Sequence, residues 1–439
     1  MVDSPASTMA ASVSQSPSSR WQSLVQRTRT LSRYFTALAG QALISLFHFG
    51  LNVYLIRTFE PYHYGLFALA FVTAVMGASI VNALVATPVS VFTPGIKRRA
   101  PRVFLETLLA TVNSWLVGVI ALTALVVAIW LHLSAELVLA FSAFVAAYSA
   151  RAYSRSFSFA RRRPSVALFG DIAYVLFSLL MLLLAAWKGL PLSLTLLLVT
   201  LAMANIVALT LEFAFLVEHF RLLTRWHSLR HYRGIWLDAR WALVGVITTL
   251  IAAQAHSFLV TIFSGPAAYA PLAAGFVLFG PIRIGLQSWQ SVMRPELAVM
   301  ISRHDHESLA RMIRVSILAM ILAIVAFAIL IFLLWRPISV FLYAENYASA
   351  PMGWIVAGWC GVTLFTALIA TPSGVLQAFK AFRILAMGTV YSAVISLLCV
   401  GLFLWLFGPA YTLLGLLVAE VFLAVFLLLV LRTRVNEKW

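Results

Sequence analysis

Few residues in this chain can do chemistry, and most of those that can are spaced along helix faces. Arg283, Gln287, Gln290 and Arg294 recur at i, i+4, i+7 and i+11, a single face of a helix. Gln41, Ser45, His48 and Asn52 repeat that spacing near the start of the chain, and Arg151 and Arg155 lie one turn apart. Guanidinium groups bind phosphate oxygens bidentately, so a row of amides with an arginine at each end is a path suited to a phosphate-bearing anion. Carboxylates compete for the same arginines. Asp171 or Glu106 can neutralise Arg151 or Arg155, and Glu420 can pair with Arg283, in which case these groups form static ion pairs. Glu420, Asp171 and His256 are also the groups able to carry a coupling proton, while His48 and His256 serve equally well as hydrogen-bond donors between helices.

The elements that must position these side chains follow from composition. Of 439 residues, 62% are hydrophobic and only 10% charged, against roughly 25% charged in a soluble domain. That excludes a soluble protein. Lys and Arg number 31 against 14 Asp and Glu, a net charge of +17. A nucleic-acid partner would need those cations on a polar surface that this composition cannot build. Cys360 and Cys399 sit in apolar stretches, which gives neither a disulfide framework nor a metal site. Twelve apolar runs are long enough to cross a bilayer core of about 30 Å. They span Phe35 to Arg57, Tyr64 to Val91, Val103 to His132, Ala135 to Arg155, Val166 to Trp187, Leu192 to Val217, Trp241 to Phe263, Tyr269 to Met293, Ile313 to Trp335, Met352 to Phe379, Ile384 to Phe407 and Leu413 to Leu431. The expected fold is an all-α integral membrane protein.

The cations sort to one side. All but Arg57, Lys188, Arg336 and Arg283 fall in alternate gaps between the runs, the pattern of short cytoplasmic loops. Both termini are then cytoplasmic and the number of helices is even. Trp130, Trp187, Trp335 and Trp405 fall at the opposite helix ends, as an outer aromatic belt. Residues 1–33 read as a disordered cytoplasmic tail; the alternative, a mitochondrial presequence, is disfavoured by Asp3 and a cation-free start. The chain divides into an N-terminal six-helix lobe (34–219), a basic linker (220–240), a C-terminal six-helix lobe (241–432) and a short tail (433–439).

An internal repeat relates the lobes. A shift of 205 residues superposes Pro61 on Pro266, Tyr64 on Tyr269, Ala68 on Ala273, Phe71 on Phe276 and Val72 on Val277. A weaker echo sets Gly170 and Ser178 on Gly388 and Ser396. Six helices return the chain to its starting side, so the pseudo-twofold axis lies along the membrane normal. Arg283 falls in the eighth run just after Gly280 and Pro281, which should kink or loosen the helix there.

No Gly-rich phosphate loop, metal-spaced His/Cys cluster or Ser/His/Asp context is present, so neither an enzyme activity nor a cofactor or metal is expected. A membrane polysaccharide polymerase would need a sizeable outer loop, and the outer loops are short. A sugar-phosphate or major-facilitator carrier is disfavoured because Thr93 to Ala100 lacks the acidic residue of its usual signature. The stretch from Gly40-Gln41-Ala42 through Tyr64-Gly65-Leu66-Phe67-Ala68-Leu69 resembles the opening of bacterial polysaccharide-unit (O-antigen and exopolysaccharide) flippases. These belong to the multidrug/oligosaccharidyl-lipid/polysaccharide exporter superfamily. Phe159 to Pro164 ahead of Gly170-Asp171, Gly265 to Ala268, and Leu342 to Tyr347 fit the same pattern, with Ala344 where the family usually has Gly. The resemblance implies two six-helix bundles in a V around a cavity, in the cytoplasmic (inner) membrane. It also implies translocation of polyprenyl-diphosphate-linked sugar units made by glycosyltransferases and joined by a polymerase of the same pathway. Lipopolysaccharide or exopolysaccharide export would be the wider process. A cation-coupled multidrug antiporter of the same superfamily is the alternative.

Overall fold

Proline and glycine set where the helices begin and stop. The structure, a computed structural model, describes residues 17–93, 96, 98–161, 163–216, 230–303, 305–343, 345–379 and 381–437. α1 (Pro17–Thr58) turns directly into α2 (Pro61–Val81), which opens on a proline at a position where no N–H is needed. α2 passes through a π turn (Asn82–Ala86) into α3 (Thr87–Phe92). α4 (Arg99–Trp130), α5 (Ala135–Ala160), α6 (Pro164–Trp187) and α7 (Leu194–Leu216) complete the first bundle. α8 (Tyr232–Ser264) stops at Gly265, whose φ of +86° is left-handed, and Pro266 starts α9 (Pro266–Val277) at once. α10 (Gly280–Ser302), α11 (His306–Leu333), the short α12 (Trp335–Ile338), α13 (Met352–Ala378), α14 (Phe382–Phe407) and α15 (Thr412–Glu437) follow.

The described residues form helices and turns without strands. They include 11 helices long and apolar enough to cross a membrane, or 12 if α9 and the start of α10, bent by 56°, count as one broken span. The break falls at Leu278 and Phe279, and Gly280 and Pro281, where the sequence places it, instead open α10. The chain is a multi-pass membrane protein. α1 begins at Pro17, inside the segment assigned above to a tail, and residues 220–229 of the linker, with 217–219 before them, lie outside the described residues. Large apolar side chains such as Leu183, Phe332 and Leu398 are exposed, as lipid-facing positions are, while α2 buries the small Ala70 and Ala74.

The two bundles meet mainly through α2 against α9, with α1 touching α9 and α8 touching α2 in the reciprocal way a twofold requires. Gly65 lies directly against the backbone carbonyl of Pro266, so a side chain at that position would collide. The repeat is visible in the placement of its tyrosines as well. Tyr64 Oη donates to Asn52 Oδ1 at 3.1 Å, and 205 residues on Tyr269 is likewise buried, its ring 6.2 Å from that of His256, the neighbour of Ser257. At the end of the molecule that carries the α1–α2 and α8–α9 turns, Asn346 Nδ2 donates to the carbonyls of Arg57 (3.3 Å) and Phe59 (3.2 Å). There the Arg57 guanidinium also covers the Phe341 ring at 5.1 Å. Tyr343 and Tyr347 pack beside this contact, and burial pushes both phenols up. At the opposite end Tyr232 Oη donates to the Leu84 carbonyl at 2.6 Å, and burial pushes this phenol up to about 12.

Candidate functional site

Within the first bundle a cavity of about 390 Å³ lies among α1, α2, α5, α6 and α7. Gln41 and His48 come to it from α1, two turns apart on one face, and Tyr148, Arg151 and Arg155 from α5. Asn82 of the π turn, Tyr174 of α6 and Asn205 of α7 close the wall. Four of the residues singled out by spacing, Gln41, His48, Arg151 and Arg155, are thus brought together. Ser45 is half-buried on α1 but is not among the lining residues. Asn52 is occupied elsewhere, by Tyr64 and by the His48 carbonyl, to which its Nδ2 donates at 2.8 Å.

The arginines of this cavity are matched by buried carboxylates. Arg151 Nη2 lies 2.5 Å from Asp171 Oδ1, and Arg155 Nη2 lies 3.2 Å from Asp171 Oδ2. Arg151 Nε reaches Glu212 Oε1 at 3.4 Å, while Ser154 Oγ donates to Glu212 Oε2. Asp171 is therefore the neutralising group the sequence offers, and it serves both arginines. Glu106 is not: it takes Arg161, at 2.9 Å and 2.5 Å, and Arg102, at 3.2 Å. Burying charge is tolerable only with such full pairing. Glycines make room for it. A methyl group at Gly40 would overlap Asp171 Oδ2, and one at Gly170 would overlap the Glu212 carboxylate. The Arg151 guanidinium also lies 4.9 Å from the centre of the Tyr174 ring, whose Oη is 3.4 Å from His48 Nε2. His48 Nδ1 and Arg155 Nε are buried without a partner among the described residues.

Glu212 is absent from the sequence-level candidates. It sits in the apolar run Leu192 to Val217, and the rule that singled out Asp171, a carboxylate inside an apolar span, applies to it equally. The amides Asn82 and Asn205, inside apolar runs, carry a weaker form of the same signal, while Tyr148 and Tyr174 carry none, because only the fold brings them to this wall.

The second bundle is built differently. Arg283 stands in the first turn of α10, exposed, with its guanidinium 4.4 Å from the centre of the Phe276 ring. Among the described residues no carboxylate lies within 4.0 Å of it. Glu420, the candidate partner, instead accepts from Thr366 Oγ1 at 3.3 Å. The static Arg283–Glu420 pair is therefore not formed. The side chains of Gln287, Gln290 and Arg294 lie outside the described residues, so Arg283 alone represents that row. His256 is buried, with Nε2 3.2 Å from Ser257 Oγ and its ring 5.2 Å from that of Trp359. Where Gly170 faces Glu212, its echo Gly388 faces the Phe426 ring.

No family model and no curated protein matches the chain. Solved structures do. The inward-facing conformation of a multidrug resistance MATE family transporter of the MOP superfamily superposes with a TM-score of 0.66 at 12% identity, over 91% of this chain and 98% of that one. The outward-facing conformation gives 0.56 at 12% identity, over 92% and 94%. The lipid II flippase MurJ, in an inward closed conformation, gives 0.60 at 14% identity, over 92% and 87%. At these identities the likeness is one of architecture, and the chain has the fold of MOP-superfamily transporters.

Proposed function

We propose that this protein is a flippase that moves polyprenyl-diphosphate-linked saccharide units across the bacterial cytoplasmic membrane by alternating access, with both termini on the cytoplasmic side. The reading rests on Arg283. A cation within a membrane span is expensive unless it meets water or an anion, and Arg283 is exposed with no carboxylate beside it. It stands in the first turn of α10, where the helix dipole also favours negative charge. A diphosphate supplies that charge, and bidentate geometry suits a guanidinium. Loading from the linker end, taken as cytoplasmic, is supported by the better superposition on the inward-facing transporter (TM-score 0.66) than on the outward-facing one (0.56), with Asn346 tying the bundles at the turn end. One fold neighbour is itself named a lipid II flippase.

The test is flipping of a prenyl-diphosphate-linked sugar by the full chain in vesicles. Arg283→Ala should reduce the rate at least about tenfold, the loss of one charged hydrogen-bonding group of roughly 1.4 kcal/mol or more. Unimpaired flipping sinks the assignment. Movement of cationic dyes with no lipid flipping would favour a drug antiporter instead.

A further inference from the structure

We infer that the cavity of the first bundle is the site for the uncharged saccharide of the substrate, and that the diphosphate is held apart from it, at Arg283. This rests on the flippase reading above. Charge matching separates the two places. In the cavity, both oxygens of Asp171 are engaged by Arg151 and Arg155, and both oxygens of Glu212 by Arg151 and Ser154. Two guanidinium groups thus face two carboxylates. An anion entering here would displace a buried carboxylate and leave it without a partner, the costliest way to break such a network. A neutral hydroxylated ligand displaces nothing.

What the wall still offers suits hydroxyl groups. Gln41 and Asn82 present side-chain amides that make no hydrogen bond among the described residues, and Asn205 keeps its Oδ1, its Nδ2 being spent on the Leu201 carbonyl. Each amide gives paired donors and acceptors at fixed geometry, which matches vicinal hydroxyls. Arg155 adds a buried Nε with no partner, beside the cavity it lines. Apolar surface from Ala78 and Ile44 stands between these groups, as the C–H faces of a sugar ring require. The volume of about 390 Å³ lies in the range of small-molecule pockets. Arg283 differs in charge balance: it is an exposed cation with no carboxylate within 4.0 Å among the described residues.

The experiment compares two soluble probes on the purified full chain in detergent: farnesyl diphosphate, and farnesyl-diphospho-N-acetylglucosamine, which carries the same anion plus one sugar. The wild type should bind the sugar-bearing probe at least about tenfold more tightly. Gln41→Leu with Asn82→Leu should erase that difference while leaving farnesyl diphosphate binding unchanged. Arg283→Ala should weaken both probes alike. Because neither amide belongs to the ion network, melting temperature should match wild type; if it does not, the single substitution Gln41→Met, which keeps the length and removes the hydrogen-bonding groups, must lower affinity for the sugar-bearing probe selectively. Equal weakening of both probes by the amide substitutions makes the cavity an anion site and overturns the inference, as does a sugar that adds no affinity. Failure of both probes to bind the wild type overturns the flippase reading itself.

Discussion

Tyr232 Oη donates to the backbone carbonyl of Leu84 across 2.6 Å, tying the first turn of α8 to the π turn that follows α2. The carbonyl is available because the residue four positions on is Pro88, which has no N–H to give it. One bundle's helix irregularity thereby becomes the other bundle's attachment point. Removing the phenol in Tyr232→Phe leaves that carbonyl unpartnered and should cost about 1–3 kcal/mol of stability. Pro88→Ala restores an intrahelical donor, so in that background the same substitution should cost about 1 kcal/mol less. Thermal unfolding of the four variants in detergent gives the coupling; equal costs in both backgrounds would detach the proline from the bond.

At the other end, Asn346 contributes two hydrogen bonds between the bundles. Asn346→Ala should release about 1–3 kcal/mol of closing free energy, at about 0.5–1.5 kcal/mol per bond. Each 1.4 kcal/mol is a factor of ten in population. Spin labels on Thr58 and Ser264 should accordingly report a distance distribution that moves from short to long. An unchanged distribution would mean that the contacts of Gly65 with Pro266 suffice to hold this end shut.

Gly170→Ala should destabilise by about 1–3 kcal/mol, because the methyl group must enter space held by the Glu212 carboxylate and the overpacked network has nowhere to relax. Gly50→Ala is the control. Nothing lies within 4 Å of a Cβ there, so it should be neutral or stabilise by roughly 0.5–1 kcal/mol through helix propensity alone. Chemical denaturation of both variants decides it, and equal effects would remove Gly170 from the account of the site.

Arg283→Lys keeps the charge and loses the fork. If bidentate contact to phosphate matters, the substitution should recover less than a third of wild-type flipping, while Arg283→Ala recovers almost none. Full activity of the lysine variant would make Arg283 a point charge only.

Much of the architecture was readable from hydropathy and punctuation, for reasons specific to lipid. A span must satisfy its backbone internally, so length and apolarity identify it. Gly280 and Pro281 follow directly on the break in the broken span found among the described residues, and the 205-residue shift anticipates the reciprocal contacts of α1 with α9 and of α8 with α2. Pairing was less readable. Helical spacing groups Gln41 with His48, and separately Arg151 with Arg155, but spacing carries no information about which helix faces which. Glu106 and Asp171 were therefore equivalent candidates until α5 was seen against α6 and α7, where Asp171 and Glu212 meet the arginines and Glu106 turns to Arg161. Asn52 shows the converse limit. It shares the spacing of Gln41 and His48, yet Tyr64 claims it.

The glycine pair Gly170 and Gly388 has a wider consequence. The same gap between neighbouring helices is filled by a carboxylate in one bundle and by a phenyl ring in the other. Joint and charge are thus written in different residues: the contacts that echo across the repeat, α1 with α9 and α8 with α2, belong to the joint, and the ion pairs that do not echo belong to the interior of the first bundle. Exchanging α10 alone for that of another chain of this fold would therefore redraw the charge around Arg283 while leaving the seat of α2 on α9, with Gly65 against Pro266, in place.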